Sequence, residues 1–130
     1  MPVAIDTSIL IAAEKAGGLE VVLSGIEERI YVPAHAAAEF LVGTHPPVRE
    51  DLRRRAQRLY EIHIRSMVDS FDESDAVQLA ALNAELRRTG QTMKFFDAAI
   101  AATVLAREDK LLTADGDYDR LAGRIILLRA

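Results

Sequence analysis

Val3-Ala4-Ile5-Asp6-Thr7-Ser8-Ile9-Leu10-Ile11 decides how this chain is read. A short apolar run stops at Asp6-Thr7-Ser8, residue types that cap helices, and apolar residues resume at once, so the chain opens as strand, turn, helix. Asp6 then stands at the carboxyl end of a strand. Working outward, Leu19, Val22, Leu23 and Ile26 repeat at helical spacing, and Ile30-Tyr31-Val32 is a second short strand. Pro33 is expected as the first residue of a helix that runs to about Val42 and stops before Gly43 and Pro46-Pro47. Leu52, Ala56, Leu59, Tyr60 and His63 form the next amphipathic stripe, and Ser66 to Asp69 a third strand. Asp72 begins a long helix with Ala76, Leu79, Ala80, Leu82 and Leu86 inward, ended by Gly90. A further helix starts near Phe96-Asp97 and turns Ile100 and Val104 inward; Lys110 to Thr113 and Ile125 to Leu128 are the fourth and fifth strands. Short apolar strands alternating with helices predict an α/β domain: a three-layer α/β/α arrangement around a central parallel sheet of four to five strands, spanning residues 1–130.

Composition narrows the function. A chain of 130 residues buries roughly two thirds of its unfolded surface and needs no cross-link to fold. The absence of cysteine excludes a disulfide scaffold, a Cys-ligated zinc module and a thiol nucleophile together. The start MPVAIDTSIL has no basic region ahead of an apolar stretch, and the run Ala98 to Ala106 is too short to span a bilayer, so a cytoplasmic protein without a membrane partner is expected. Sixteen Lys and Arg against twenty Asp and Glu leave a net charge of −4, which argues against binding nucleic acid by generic electrostatics. A polyanionic substrate would need its charge neutralised by something other than side chains.

The acids supply a way. Ligands in open parallel sheets bind beyond the carboxyl ends of the strands, where strand order reverses. With the common order 3-2-1-4-5, Asp6 after the first strand and Asp115 after the fourth face one crevice. Asp97 lies in the first turn of its helix, on the side of Ile100 and Val104, and Glu39 is a lone carboxylate in the apolar stretch Ala34 to Val42. Four converging carboxylates repel one another unless a cation shares the site. An all-oxygen donor set suits Mg²⁺ or Mn²⁺ better than zinc or copper, and such ions support in-line attack on a phosphodiester.

The segments Val3 to Ser8, Ala37 to Leu41, Phe96 to Ala102 and Leu112 to Tyr118 resemble the four acidic blocks of PIN-domain ribonucleases, in the right order and over essentially the whole chain. Chain length resembles that of the VapC-type toxins of toxin–antitoxin pairs. The resemblance implies a PIN-like fold and a metal-dependent endoribonuclease acting on RNA. It implies Asp6, Glu39, Asp97 and Asp115 as metal ligands for Mg²⁺ or Mn²⁺, Ser8 and Thr113 as supporting hydroxyls, and Asp117 as an accessory acid. It also implies a VapB-like antitoxin partner and homodimers. One departure is Phe95-Phe96 ahead of Asp97, bulkier than the family pattern and readable as a partner surface or as core packing.

Plainer readings stand beside these. Asp6 reads as an ordinary N-cap, Asp97 as a first-turn acid, Asp115 as a turn residue before Gly116, and Glu39 as a partner for His35 one turn earlier. His35, His45 and His63 share no ligand spacing. Arg49, Arg53, Arg54, Arg55 and Arg58 read as a solvated helix face or, less simply, as an RNA track. The amphipathic helices flanking Glu39 offer a groove for a partner helix. Among rival functions, a haloacid dehalogenase-type phosphotransferase wants a second acid where Ser8 stands. A phospho-receiver module would use Asp69 as acceptor with Thr113 nearby, and a non-cleaving PIN-like domain would bind RNA or a partner without cutting.

Overall fold

The side chains of Val3, Ala4 and Ile5 are wholly buried, and they form β1 (Val3–Ile5), the middle strand of a five-stranded sheet. The computed structural model describes residues 1–130. From β1 the chain passes into α1 (Thr7–Ala16) and a short α2 (Leu19–Val22), then β2 (Ile30–Pro33), α3 (Ala34–Val42) and α4 (Glu50–Leu59). After β3 (Val68–Asp69) come α5 (Glu73–Arg88) and α6 (Phe95–Arg107), then β4 (Lys110–Thr113), a 3-10 turn (Gly116–Leu121) and β5 (Ile126–Arg129). The order is β3-β2-β1-β4-β5 and every pairing is parallel. Ile5 is in register with Leu112, so Asp6, just past the end of β1, lies beside Thr113, the last residue of β4. The central strands β1 and β2 are apolar because helices cover both faces, which completes the three-layer α/β/α architecture.

Local chemistry sets the helix ends. Asp6 has extended backbone and caps α1 by accepting the Ile9 N–H, while Gly17, at φ +85°, closes the helix in a left-handed conformation that a Cβ would strain. Asp72 and Asp75 form a reciprocal capping box at the start of α5.

Several boundaries differ from the sequence reading. Pro33 is the last residue of β2, not the first of the helix, and its φ −56° and ψ 143° are extended. The third strand shrinks to Val68–Asp69 because Arg65–Met67 winds into a 3-10 turn. The fifth begins at Ile126, since the Ile125 N–H is held by the Leu121 carbonyl. Tyr60–Ile64 forms a π-helical turn after α4. Its wider spacing moves the buried position from His63, which is exposed, to Ile64, which is wholly buried. In α5 the inward stripe is Asp75, Leu79, Leu82 and Leu86, while Ala76 and Ala80 are exposed. Asp75 holds the first position of that stripe because the capping box fixes it there, with Arg107 of α6 3.7 Å away.

If α5 docks on α6 through this stripe, Leu82→Ala will destabilise the protein by about 2–5 kcal/mol. Val77→Ala, at a position 60% exposed, will change stability by less than ~0.5 kcal/mol. Urea denaturation midpoints of the two variants check the orientation of the helix.

Candidate metal centre

Asp6 is 2% exposed and fully engaged. Its Oδ1 accepts the Ser8 hydroxyl at 2.6 Å and the Ile9 N–H at 3.3 Å, and its Oδ2 accepts the Thr113 hydroxyl at 2.6 Å. The same two hydroxyls accept from the neighbouring strand exit: the Ala114 N–H donates to Ser8 Oγ at 3.0 Å and the Asp115 N–H to Thr113 Oγ1 at 2.9 Å. Ser8 and Thr113 thus tie the ends of β1 and β4 into one unit and aim the backbone that carries Asp115. Asp115 Oδ1 accepts the Asp117 N–H at 2.9 Å, which caps the 3-10 turn and brings Asp117 to the same side.

Asp97 sits in the first turn of α6 and is 7% exposed. One oxygen from each of Asp97, Asp115 and Asp117 lies within 4.8 Å of the others. Burial pushes the Asp97 carboxyl up to about 6, reinforced by the negative charges of Asp115, Glu39 and Asp117 and opposed by the Tyr118 hydroxyl. Asp6 is also raised, chiefly by burial and then by Asp115, against the pull of its three hydrogen-bond donors. Glu39 projects from mid-α3, and the Thr7 hydroxyl donates to its Oε1 at 2.5 Å.

Asp115 thus acts on both Asp6 and Asp97, Glu39 acts on Asp97, and Asp117 joins Asp97 and Asp115 in the tightest group. Asp6, Asp97 and Asp115 also keep the plainer roles foreseen for them as N-cap, first-turn acid and turn residue. Glu39 does not pair with His35, whose ring instead stands edge-on to Phe71 at 4.6 Å. Two contributors escaped the sequence reading. Thr7 was taken only as a cap, yet its hydroxyl holds Glu39. Tyr118, which only ends the fourth acidic segment in the sequence, is completely buried with its hydroxyl donated to Asp97 Oδ1 at 3.3 Å. Burial and the surrounding carboxylates drive that phenol well above its ordinary range.

No Lys or Arg forms an ion pair with Asp6, Glu39, Asp97, Asp115 or Asp117. The arginines of the α4 region are occupied elsewhere: Arg49 with Asp51, Arg54 with Glu50, Arg55 with Glu14 and Arg53 with the Val48 carbonyl. Asp69, the acceptor in a phospho-receiver reading, is bound by Arg29 at 3.0 Å and Arg107 at 2.9 Å. Asp97, Asp115 and Asp117 thus offer hard oxygen donors without an ion-paired base, since Arg129 donates to the Asp115 carbonyl at 3.0 Å and not to a carboxylate of the group, and such a donor set fits Mg²⁺ or Mn²⁺. Beside Glu39 an apolar groove of about 250 Å³ runs between α1, α3 and α4, lined by Ile11, Phe40, Val42, Leu52 and Ala56 among others. No helix is long and apolar enough to cross a membrane.

Comparison with curated proteins by sequence finds no match. Among solved structures, a chain of DNA-bound VapBC from Salmonella typhimurium superposes with a TM-score of 0.84 at 19% identity, covering 99% of this chain and 98% of that one. A chain of VapBC2 from Rickettsia felis, bound to a DNA fragment from its promoter, gives 0.81 at 16% identity, with 100% and 99% covered. One from VapBC-5 of Mycobacterium tuberculosis, a member of the VapBC family of toxin–antitoxin systems, gives 0.76 at 23% identity, with 98% and 96% covered. At these identities the likeness speaks of the fold. The sequence profile of the PIN domain matches residues 3–124, from the first strand through the turn that carries Asp115 and Asp117, and the chain belongs to the PIN domain family.

Proposed function

We propose that this chain is a divalent-metal-dependent endoribonuclease and the toxin of a toxin–antitoxin pair. The observation that carries the reading is the uncompensated carboxylate group: Asp97, Asp115 and Asp117 within 4.8 Å of one another, with no basic partner. Asp97 is buried, Asp115 half-buried and Asp117 exposed; acids of one sign gathered around a buried carboxylate repel it, so their convergence at the switch point of the sheet supports an ion that offsets them. The VapBC complexes that share the fold support the toxin assignment, and the groove beside Glu39 supports an antitoxin segment as partner. A homodimer and a cytoplasmic setting belong to the same reading.

In this site Asp97, Asp115 and Asp117 would hold Mg²⁺ or Mn²⁺, with Asp6 and Glu39 completing the donor ring. When bound, the ion supplies positive charge at the scissile phosphate and lowers the pKa of water for in-line attack. The protein's part is positional. Thr113 and Ser8 fix Asp6 and the Asp115 backbone, Tyr118 orients Asp97, and Thr7 orients Glu39. Asp97 must give up its proton near pH 6 to serve as a ligand, so activity should rise with pH through that region.

Purified protein on a tRNA and rRNA panel is expected to cleave with Mn²⁺ or Mg²⁺ and to stop in EDTA. Asp97→Asn should lose roughly a hundredfold or more in rate with the fold intact. Full cleavage by that variant, or by the wild type in EDTA, would remove the proposal.

A stability measurement gives an independent check. The Asp97 carboxyl is raised in the fold, so the neutral form favours folding: the cost of its charge is fully present above about pH 6 and gone near the ordinary value of 3.8. Without metal, Asp97→Asn should therefore melt higher than the wild type at pH 7, with the gap closing as the pH falls toward 4. Mn²⁺ should raise the melting temperature of the wild type more than that of the variant. Thermal melts with and without Mn²⁺ test both statements.

A further inference from the structure

The chain has four phenylalanines, and Phe71, Phe95 and Phe96 gather around His35 next to the acids. Two helices supply three members of the cluster and a carboxylate each: α3 carries His35 and, one turn on, Glu39; α6 carries Phe95, Phe96 and then Asp97. Phe95 is 60% exposed, the one phenylalanine or tyrosine in the chain that is not at least half buried. Its ring stands 5.6 Å from His35 at 69° and 5.7 Å from Phe96 at 70°. Both neighbours meet it at steep angles and neither lies flat upon it, and most of the residue stays open to solvent.

We infer that Phe95, propped by His35 and Phe96, is a stacking platform for an unpaired nucleobase beside the scissile phosphate. This rests on the endoribonuclease reading and adds a specificity-determining residue to it: Phe95 would hold one base next to the bond that is cut. The site is acidic and lacks basic partners, so phosphate contacts away from the metal gain little from it. Base–aromatic stacking is indifferent to that charge and contributes substantially per base. A second copy of the chain is the poorer occupant. A stable interface buries about 800 Å² on each partner, whereas the exposed chain neighbours of Phe95 are the polar Gln91, Thr92 and Lys94. The exposed apolar residues Ile11, Val42 and Leu52 belong to the separate groove beside Glu39.

The test uses single-stranded RNA decamers with 2-aminopurine at successive positions, mixed with the full chain in Mg²⁺ and followed by stopped-flow fluorescence ahead of any cleavage. Wild type should quench the probe strongly at one or two adjacent positions. Phe95→Ala and Phe95→Leu should bind about tenfold more weakly and lose the quenching, while Phe95→Trp restores both. A rise in KM with kcat nearly unchanged in Phe95→Ala would agree. Equal binding by Phe95→Ala and wild type overturns the platform while leaving the nuclease reading intact. Conversion of a dimer to a monomer by Phe95→Ala in sedimentation, with RNA binding unchanged, assigns the ring to a contact between copies and overturns it too. A wild-type protein that neither binds nor cuts any of the RNAs, with Mg²⁺ or Mn²⁺, defeats both readings together.

Discussion

Mutual repulsion among carboxylates gathered around two buried ones, Asp6 and Asp97, is the constraint on which the rest of this structure depends. Asp6, Glu39, Asp97, Asp115 and Asp117 come from four separate stretches of chain and meet where β1 and β4 leave the sheet. No base is ion-paired with them, Arg129 reaching only the Asp115 carbonyl, and the carboxyls of Asp6 and Asp97 are both raised, first by burial and then by neighbouring negative charge. What the fold offers instead is partial charge. The N-terminal turns of α1 and α6 lie at Asp6 and Asp97, and amide and hydroxyl donors reach Asp6 from three directions. These soften the repulsion without cancelling it.

The hydroxyl residues make this corner rigid. Ser8 and Thr113 each donate to Asp6 and each accept a backbone N–H from the segment after β4. A side chain that both donates and accepts across two strand ends fixes their separation, which then fixes Asp115 relative to Asp6. The far side of the molecule uses other means: Tyr31 donates to Asp109 at 2.7 Å, and Arg107 lies over the Tyr31 ring while it binds Asp69. That cluster has a cation, Arg107, ion-paired among its acids, unlike the acidic one, which fits a structural task.

Much of this was legible in the sequence because it rests on local pattern. The apolar triplets, the capping residues and the alternation of strand and helix give the sheet, and strand order then brings Asp6 and Asp115 to one edge. What stayed hidden depends on side-chain direction across the fold. Glu39 could have met His35 on its own helix, but Thr7 lies nearer in space. Asp117 follows Asp115 by two residues, and only the 3-10 turn folds it back beside Asp97. The π turn after Leu59 inserts one residue into a helical repeat and shifts the buried position from His63 to Ile64, which periodicity alone has no means to register. Asp75 went unnoticed because a charged residue on an inward stripe contradicts hydrophobic patterning unless its cap and Arg107 are seen with it.

Tyr118 gives the chain an optical property as well as a packing role. There is no tryptophan, and only three tyrosines emit in the ultraviolet. Tyr118 and Tyr31 each donate to a carboxylate, Asp97 and Asp109 in turn, and a carboxylate acceptor quenches phenol emission. Only the first of those acceptors belongs to the acidic ring. Intrinsic luminescence therefore senses the state of that ring directly, and events there can be followed by eye of instrument with no label attached.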